Sequence, residues 1–296
     1  MSIAKSSQSK SLRELIAAGP QMVPGAFNAL TARMAERAGF QTLYLSGAAV
    51  AAGVAAMPDV GLLTLDEVAA QTRYITAAVS LPLIVDADTG FGEAVNVERT
   101  VRTLEAAGAA AMQIEDQRLP KRCGHLSGKE LVTADEMIAK IRAAIAARRD
   151  MDFTIIARTD ARGVTSLDDA VGRARAYRAA GADAIFPEAM QSADEFARFR
   201  RDVEGPLVAN LTEFGKSPLL TFDELATIGY SLVLFPVTML RLAMKAVEAG
   251  LAEIRAAGTQ RNLLGRMLTR QELYDILGYA GYEDRDKINF QGTTNT

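Results

Sequence analysis

Short apolar runs recur along the chain, separated by longer segments in which apolar positions fall three or four residues apart. Eight runs read as strands: Gln21 to Pro24, Thr42 to Leu45, Leu83 to Asp86, Ala111 to Glu115, Thr154 to Arg158, Ala184 to Pro187, Leu207 to Asn210 and Leu232 to Phe235. They are near-continuous rather than alternating, as parallel strands covered on both faces should be. The intervening segments carry helical spacing, for example Val97, Val101, Leu104 and Ala107. Ala38-Gly39, Ala107-Gly108, Ala180-Gly181 and Ile228-Gly229 each lie just before a strand, where glycine supplies the left-handed residue that ends a helix. Eight strand-plus-helix units predict an α/β fold, a closed (β/α)8 TIM-type barrel over 1–258. An open doubly wound sheet is the alternative, but no glycine-rich dinucleotide fingerprint follows the first strand. After Gly258 the alternation stops. Leu263 to Leu277 reads as one helix and the tail from Tyr282 is polar, so 259–296 form extra C-terminal helices outside the barrel.

Composition narrows the function. Of 296 residues 49% are apolar, enough for a large core. Basic and acidic residues number 33 and 36, a net charge of −3, which leaves no electrostatic footprint for nucleic acid. A small anionic substrate held by a few arginines remains compatible. The single cysteine rules out an internal disulfide framework and fits a reducing, cytoplasmic compartment. Met1 to Lys10 is polar and does not read as a signal peptide. No apolar run reaches the ~18 residues of a membrane span, and the Ala48 to Ala56 stretch is interrupted by Gly53.

In a (β/α)8 enzyme the active site lies at the C-terminal strand ends. Those ends supply Tyr44, Ser46 and Gly47; Asp86 and Asp88; Glu115 and Asp116; Arg158 and Asp160; Glu188; and Asn210 with Thr212. Asp86 and Asp88, two apart on extended backbone, point the same way and suit Mg²⁺, which takes one or two protein carboxylates and keeps other oxygens. Asp59 and Glu115 could complete that shell through water. A turn that caps the following helix explains Asp-x-Asp about as well. One histidine and one cysteine exclude a structural zinc site. Both lie in Pro120-Lys121-Arg122-Cys123-Gly124-His125, where flanking cations should lower the thiol pKa. The long Arg118 to Leu131 connection reads as a mobile lid. Arg158 at a strand end suits bidentate carboxylate binding, or a salt bridge to Glu115 or Glu188.

These residues, in this order, resemble the isocitrate lyase/phosphoenolpyruvate mutase superfamily. The motifs are Tyr-Leu-Ser-Gly from Tyr44, Val-Asp-Ala-Asp-Thr-Gly-Phe-Gly from Val85, Ile-Glu-Asp-Gln from Ile114, Lys-Arg-Cys-Gly-His from Lys121, Ala-Arg-Thr-Asp-Ala from Ala157, Phe-Pro-Glu-Ala from Phe186 and Asn-Leu-Thr-Glu-Phe-Gly from Asn210. The cysteine loop is specific to the lyase branch, and the 2-methylisocitrate lyases are the most similar group. The resemblance implies Mg²⁺-dependent cleavage of a di- or tricarboxylate to pyruvate and succinate in propionate breakdown, by a homotetramer that exchanges C-terminal helices. It implies catalytic roles for Cys123, Tyr44, Arg158, Glu115, Lys121 and His125. Arg158 makes Tyr44 acidic in that reading, with the metal. Ser46, Gly47, Ala48, Cys123, Gly124, Arg158, Glu188, Asn210, Leu211, Thr212, Arg241 and Arg270 would bind substrate. Phe186 and Leu234 would form the pocket for the extra methyl. Ala48 departs from the family's usual Ser-Gly-Gly. Enzymes that cleave 2,3-dimethylmalate or oxaloacetate share the cysteine loop and stay open as alternatives.

Overall fold

The computed structural model describes residues 8–293. Met1 to Ser7, most of the stretch read above as lacking a signal peptide, lies outside them. The chain divides into two compact units, 1–240 and 241–296.

The first unit contains eight parallel strands: β1 Gln21–Pro24, β2 Leu43–Leu45, β3 Leu83–Asp86, β4 Ala111–Glu115, β5 Thr154–Thr159, β6 Ala184–Pro187, β7 Val208–Asn210 and β8 Leu232–Phe235. One ladder runs β2-β3-β4-β5-β6 and a second β1-β8-β7. Single bridges, Gly25 to Tyr44 and Ile185 to Leu207, join them at both seams and close the barrel. Thr42 and Leu207 fall outside the regular strands. Thr42 Oγ1 donates to the Pro82 carbonyl at 3.0 Å, and Leu207 makes the seam bridge while its carbonyl accepts the Ser231 and Leu232 N–H groups.

Side chains alternate across each strand. One set (Leu43, Leu45, Val85, Met112, Ile114, Ile155, Ala157, Ile185 and Val233) packs under the helices. The opposite set (Val23, Tyr44, Ile84, Ala111, Ile156, Ala184, Phe186, Val208, Leu232 and Leu234) fills the barrel. Helix starts are fixed by Thr-x-x-Glu capping boxes at Thr64/Glu67, Thr133/Glu136 and Thr221/Glu224. The glycines foreseen before strands all have left-handed φ, from +88° at Gly108 to +108° at Gly181. No helix among the described residues is long and apolar enough to cross a membrane.

In the second unit the single helix expected over Leu263 to Leu277 is two elements. A 3-10 turn, Arg261–Arg266, is followed by a helix, Arg270–Leu277. Met267 and Thr269 are extended, and Thr269 caps the new helix with Glu272, so the apolar periodicity spans a break. The polar tail continues as a helix, Tyr279–Thr293.

The N-terminal helix Gln8–Ala18 closes the bottom of the barrel. Leu12 is fully buried and belongs to the barrel-filling cluster. Arg13 Nε donates to the Asp152 carbonyl at 2.7 Å and its NH2 meets Asp183 at 2.9 Å, both in loops that enter strands from below. Replacing a buried leucine by alanine typically costs about 2–5 kcal/mol. Leu12→Ala should therefore lower the unfolding free energy by about that much in urea melts. A loss under about 0.5 kcal/mol, the range of surface substitutions, would show that Leu12 does not plug the barrel.

Candidate active site

The barrel-facing parity that is apolar near the strand starts becomes polar at their ends. On β3 it runs Ile84, Asp86; on β4 Ala111, Gln113, Glu115; on β5 Ile156, Arg158; on β7 Val208, Asn210. Register places Asp86 beside Gln113, Glu115 beside Arg158, Arg158 beside Phe186 and Asn210 beside Leu234. One turn of the barrel thus gathers most of the residues the sequence singled out.

Arg158 is the hub. Its Nε and NH2 donate to the two Asp160 oxygens at 2.9 and 3.1 Å, and its NH1 lies 3.4 Å from Glu115 and 3.3 Å from Glu188. The guanidinium sits 5.3 Å from the Phe186 ring centre, within cation–π range. Burial opposes its charge, but Asp160, Glu115 and Glu188 outweigh it and raise its pKa. Burial likewise would raise the Glu188 carboxyl, yet Arg158 and His125 hold it well below the usual range. Asn210 Nδ2 donates to Glu188 at 3.2 Å, and Thr212 Oγ1 donates to Asn210 at 3.1 Å.

Asp86 and Asp88 stand at the β3 end. The Gly47 N–H donates to Asp86 Oδ2 at 3.0 Å, and the Asp88 N–H to Asp86 Oδ1 at 3.1 Å. Lys121 bridges Asp59 and Asp88, 2.7 Å from Asp88 Oδ1. Even so, burial and the neighbouring Asp86 push Asp88 up to about 6. Burial pushes Glu115 well above the glutamate range against the pull of Arg158 and Lys121.

Charge at this rim does not balance. Five buried carboxylates, Asp86, Asp88, Glu115, Asp160 and Glu188, meet three buried cations, Lys121, Lys129 and Arg158. The half-buried Asp59 draws further on Lys121. Asp88 Oδ1 makes no well-formed hydrogen bond, only the charge contact with Lys121, and Glu115 Oε1 has no hydrogen-bond partner among the described residues. Among those residues no three His, Cys, Asp or Glu side chains converge as a complete metal cage. The donors nonetheless fit Mg²⁺, a hard cation that needs few carboxylates and takes water or substrate oxygens for the rest.

The cysteine loop is folded down on this rim. Gln117 and Arg122 exchange hydrogen bonds at 2.8 and 2.9 Å, and Gln117 bridges Leu131 across the loop's base. Lys129 donates to the Gly124 carbonyl and, at 2.6 Å, to Asp160. A Cβ on Gly124 would sit 2.4 Å from Arg158 and 2.5 Å from Glu188, so only glycine allows this approach. His125 Nε2 lies 3.0 Å from Glu188, while its Nδ1 accepts the Lys216 N–H at 3.0 Å. A Cβ at Gly215 would strike that imidazole at 2.6 Å. His125 therefore ties the cysteine loop to the β7 loop.

Several expectations need correction. The cations flanking Cys123 do not lower its pKa; burial raises it. Lys121 is committed to Asp59 and Asp88, and Arg122 is turned toward the Ser127 carbonyl. Arg158 alone does not make Tyr44 acidic. Burial and Asp86 hold the phenol well above its ordinary value, and its hydroxyl donates to Gln113 Oε1 at 2.7 Å. Leu211 packs in the helix-facing core, out of phase with Asn210 and Thr212. Ser46 is buried and its hydroxyl caps the helix Gly47–Ala55 by accepting the Ala49 N–H; Ala48 is partly exposed at the same helix start. Phe186 and Leu234 line the barrel interior. Arg241 and Arg270 belong to the second unit. Sequence reasoning passed over Gln113 and Lys129. Barrel-facing parity on β4 could have found Gln113; nothing in Ser-Gly-Lys-Glu marks Lys129.

The family model described as phosphoenolpyruvate phosphomutase matches residues 12–255. A 2-methylisocitrate lyase of Aeropyrum pernix is 57% identical over 276 residues, covering 93% of this chain and 89% of that protein. The solved structure of 2,3-dimethylmalate lyase, described as a PEP mutase/isocitrate lyase superfamily member, superposes with a TM-score of 0.89 at 35% identity, covering 97% of this chain and 96% of the other. Phosphonopyruvate hydrolase, solved with oxalate and Mg²⁺, gives 0.85 at 35% identity, covering 94% and 98%. A match along most of the chain, to the family model and to a majority-identical relative alike, means that this chain belongs to the phosphoenolpyruvate mutase/isocitrate lyase superfamily and is a lyase on its (β/α)8 barrel.

Proposed function

We propose that the chain is a Mg²⁺-dependent lyase that cleaves 2-methylisocitrate to pyruvate and succinate, a step of propionate breakdown in the cytoplasm. The observation that carries the metal part is the rim's excess of buried carboxylates over buried lysines and arginines, beside a Glu115 oxygen with no hydrogen-bond partner among the described residues and an Asp88 oxygen met only by Lys121. Asp86 and Asp88 would hold the cation, with Asp59 and Glu115 through water. Bound there, Mg²⁺ supplies Lewis-acid polarisation of the 2-hydroxyl and its carboxylate. The relative from Aeropyrum pernix supports the substrate, and the hydrolase solved with Mg²⁺ supports the cation.

In this reading Glu115 takes the 2-hydroxyl proton. Burial alone would keep it protonated, so Arg158, Lys121 and the nearby cation would be what holds it ionised and ready to accept. The C2–C3 bond then breaks. The electrons of the O–H bond become the second bond of the pyruvate carbonyl, and those of C2–C3 remain on the succinate carbon. Cys123 delivers its thiol proton to that carbon. A proton donor must be protonated at working pH, so a thiol raised by burial suits this role better than one whose pKa the flanking cations had lowered. Arg158, Asn210 and Thr212 would hold carboxylates, with Ser46, Gly47 and Ala48 receiving one at the helix start. His125, Lys121 and Gly124 hold the loop against the rim.

We also propose a homotetramer; the exposed Leu242, Val247, Leu251 and Ile254 of the helix Thr238–Ala257 support an apolar contact between copies. Cleavage of 2,3-dimethylmalate on the same site is the second reading, supported by the similarity to that lyase. Product analysis with each acid separates the two.

Three outcomes follow. Chelation with EDTA abolishes cleavage and Mg²⁺ restores it; full turnover after exhaustive chelation defeats the metal assignment. Cys123→Ser loses at least roughly 10²-fold in kcat, the usual scale of a positioned proton transfer, with an unchanged circular dichroism spectrum; near-normal turnover removes Cys123 from the reaction. Because burial disfavours the thiolate, alkylation of Cys123 by iodoacetamide should rise through a midpoint above the ~8.5 of a free cysteine, and a midpoint below that value would mean an activated thiolate instead.

A further inference from the structure

Gln113 lies in the barrel layer just below the rim and is fully buried. It pairs in register with Asp86 on one side and Ile156 on the other. Its amide oxygen accepts the Tyr44 hydroxyl at 2.7 Å, reaching past β3 to do so. Its amide nitrogen has no hydrogen-bond partner among the described residues. Ile84 and Ala111 below it and Ile156 beside it cannot accept a hydrogen bond, and Asp86, its other register partner, gives its two oxygens to the Gly47 and Asp88 N–H groups. An acceptor for that nitrogen has to come from above, where the acid binds.

We propose that Gln113 is a positioning residue that commits the Tyr44 hydrogen, so that the phenol oxygen faces the bound acid only as an acceptor. The proposal rests on the lyase reading above. A phenol has one hydrogen to give and lone pairs to receive with. With the hydrogen held by Gln113 Oε1, Tyr44 cannot hand a proton to the substrate; its lone pairs can only share the 2-hydroxyl hydrogen and aim it until Glu115 takes it. A carboxamide oxygen accepts a hydrogen bond without taking the proton away, so Tyr44 stays neutral and proton removal falls to another group. The two N–H bonds at the other end of the amide are kept for an oxygen that arrives with the acid. Gln113 is thus two-ended: an acceptor toward Tyr44 and a donor toward the site. A neutral imidazole offers the same pair, one acceptor nitrogen and one donor nitrogen.

The test is steady-state kinetics on Gln113→Met, Gln113→His, Tyr44→Phe and the Tyr44→Phe/Gln113→Met double variant, each with its thermal midpoint recorded. Misplacing a reacting group by a small distance can cost up to about 10²-fold, so Gln113→Met should lose roughly ten- to hundredfold in kcat with KM changed by less than about threefold. Gln113→His should recover kcat to within about threefold of wild type. The double variant should be no slower than Tyr44→Phe alone, within about twofold, because the two residues act as one unit. Losses that multiply in the double variant, unchanged kcat in Gln113→Met, or a Gln113→His enzyme as slow as Gln113→Met each overturn the proposal. Should Gln113→Met fail to fold, Gln113→His decides alone: kcat near wild type supports the proposal, and a tenfold loss overturns it. If the wild-type chain cleaves none of the candidate acids, it is the lyase reading that fails, independently of Gln113.

Discussion

More negative charge is buried at one end of this barrel than its own cations can neutralise. Removing a carboxylate from water costs several kcal/mol even after relaxation, unless a partner compensates it. Arg158 compensates Asp160, Glu188 and part of Glu115; Lys129 serves Asp160; Lys121 serves Asp59 and Asp88. Burial first, and then the charge left over, raises the carboxyls of Asp88 and Glu115. A divalent cation is the simplest ligand that removes the imbalance. The same deficit explains why loops around the rim carry lysine and arginine and still make no positive patch: their charges are spent inward.

That accounting changes the chemistry of the cysteine loop. Positive neighbours in the sequence suggest an ionised, nucleophilic sulfur. In space Lys121 is bound to two aspartates, and Arg122 is turned toward the Ser127 carbonyl. Burial then dominates, and the thiol keeps its proton. A neutral thiol that feels the charges of Arg158 and Glu188 suits the proton donor that the proposed reaction requires. His125 and Gly124 bring it there, one by tying the loop to its neighbour after β7, the other by having no side chain to obstruct Arg158.

The barrel itself was legible because parallel strands buried on both faces must be continuously apolar, and because four of the helices before strands end at a left-handed glycine, Gly39, Gly108, Gly181 and Gly229. Five of the eight strands have the expected limits, and the others differ by one residue where pairing thins to a bridge or extends past Arg158. The broken C-terminal helix was not legible, since periodicity in apolar residues continues through Met267 although the backbone does not. In the site, residue identities at strand ends could be read and their environments could not. Leu211 looked like its neighbours, yet strand parity turns it toward the helices. Cys123 and Tyr44 carry pKa values set by burial, a quantity that no local sequence window reveals. Gln113 escaped notice because an uncharged residue inside an apolar strand resembles filler until its partner across the barrel is known.

The most direct test is a crystal structure of the chain grown with Mg²⁺ and a non-cleavable 2-hydroxy acid. The cation should sit against Asp86 and Asp88 with the acid's hydroxyl oxygen beside it, and the Cys123 sulfur should face the acid from the opposite side. A cation bound elsewhere, or a sulfur pointing away from the acid with the loop folded as here, would contradict the account.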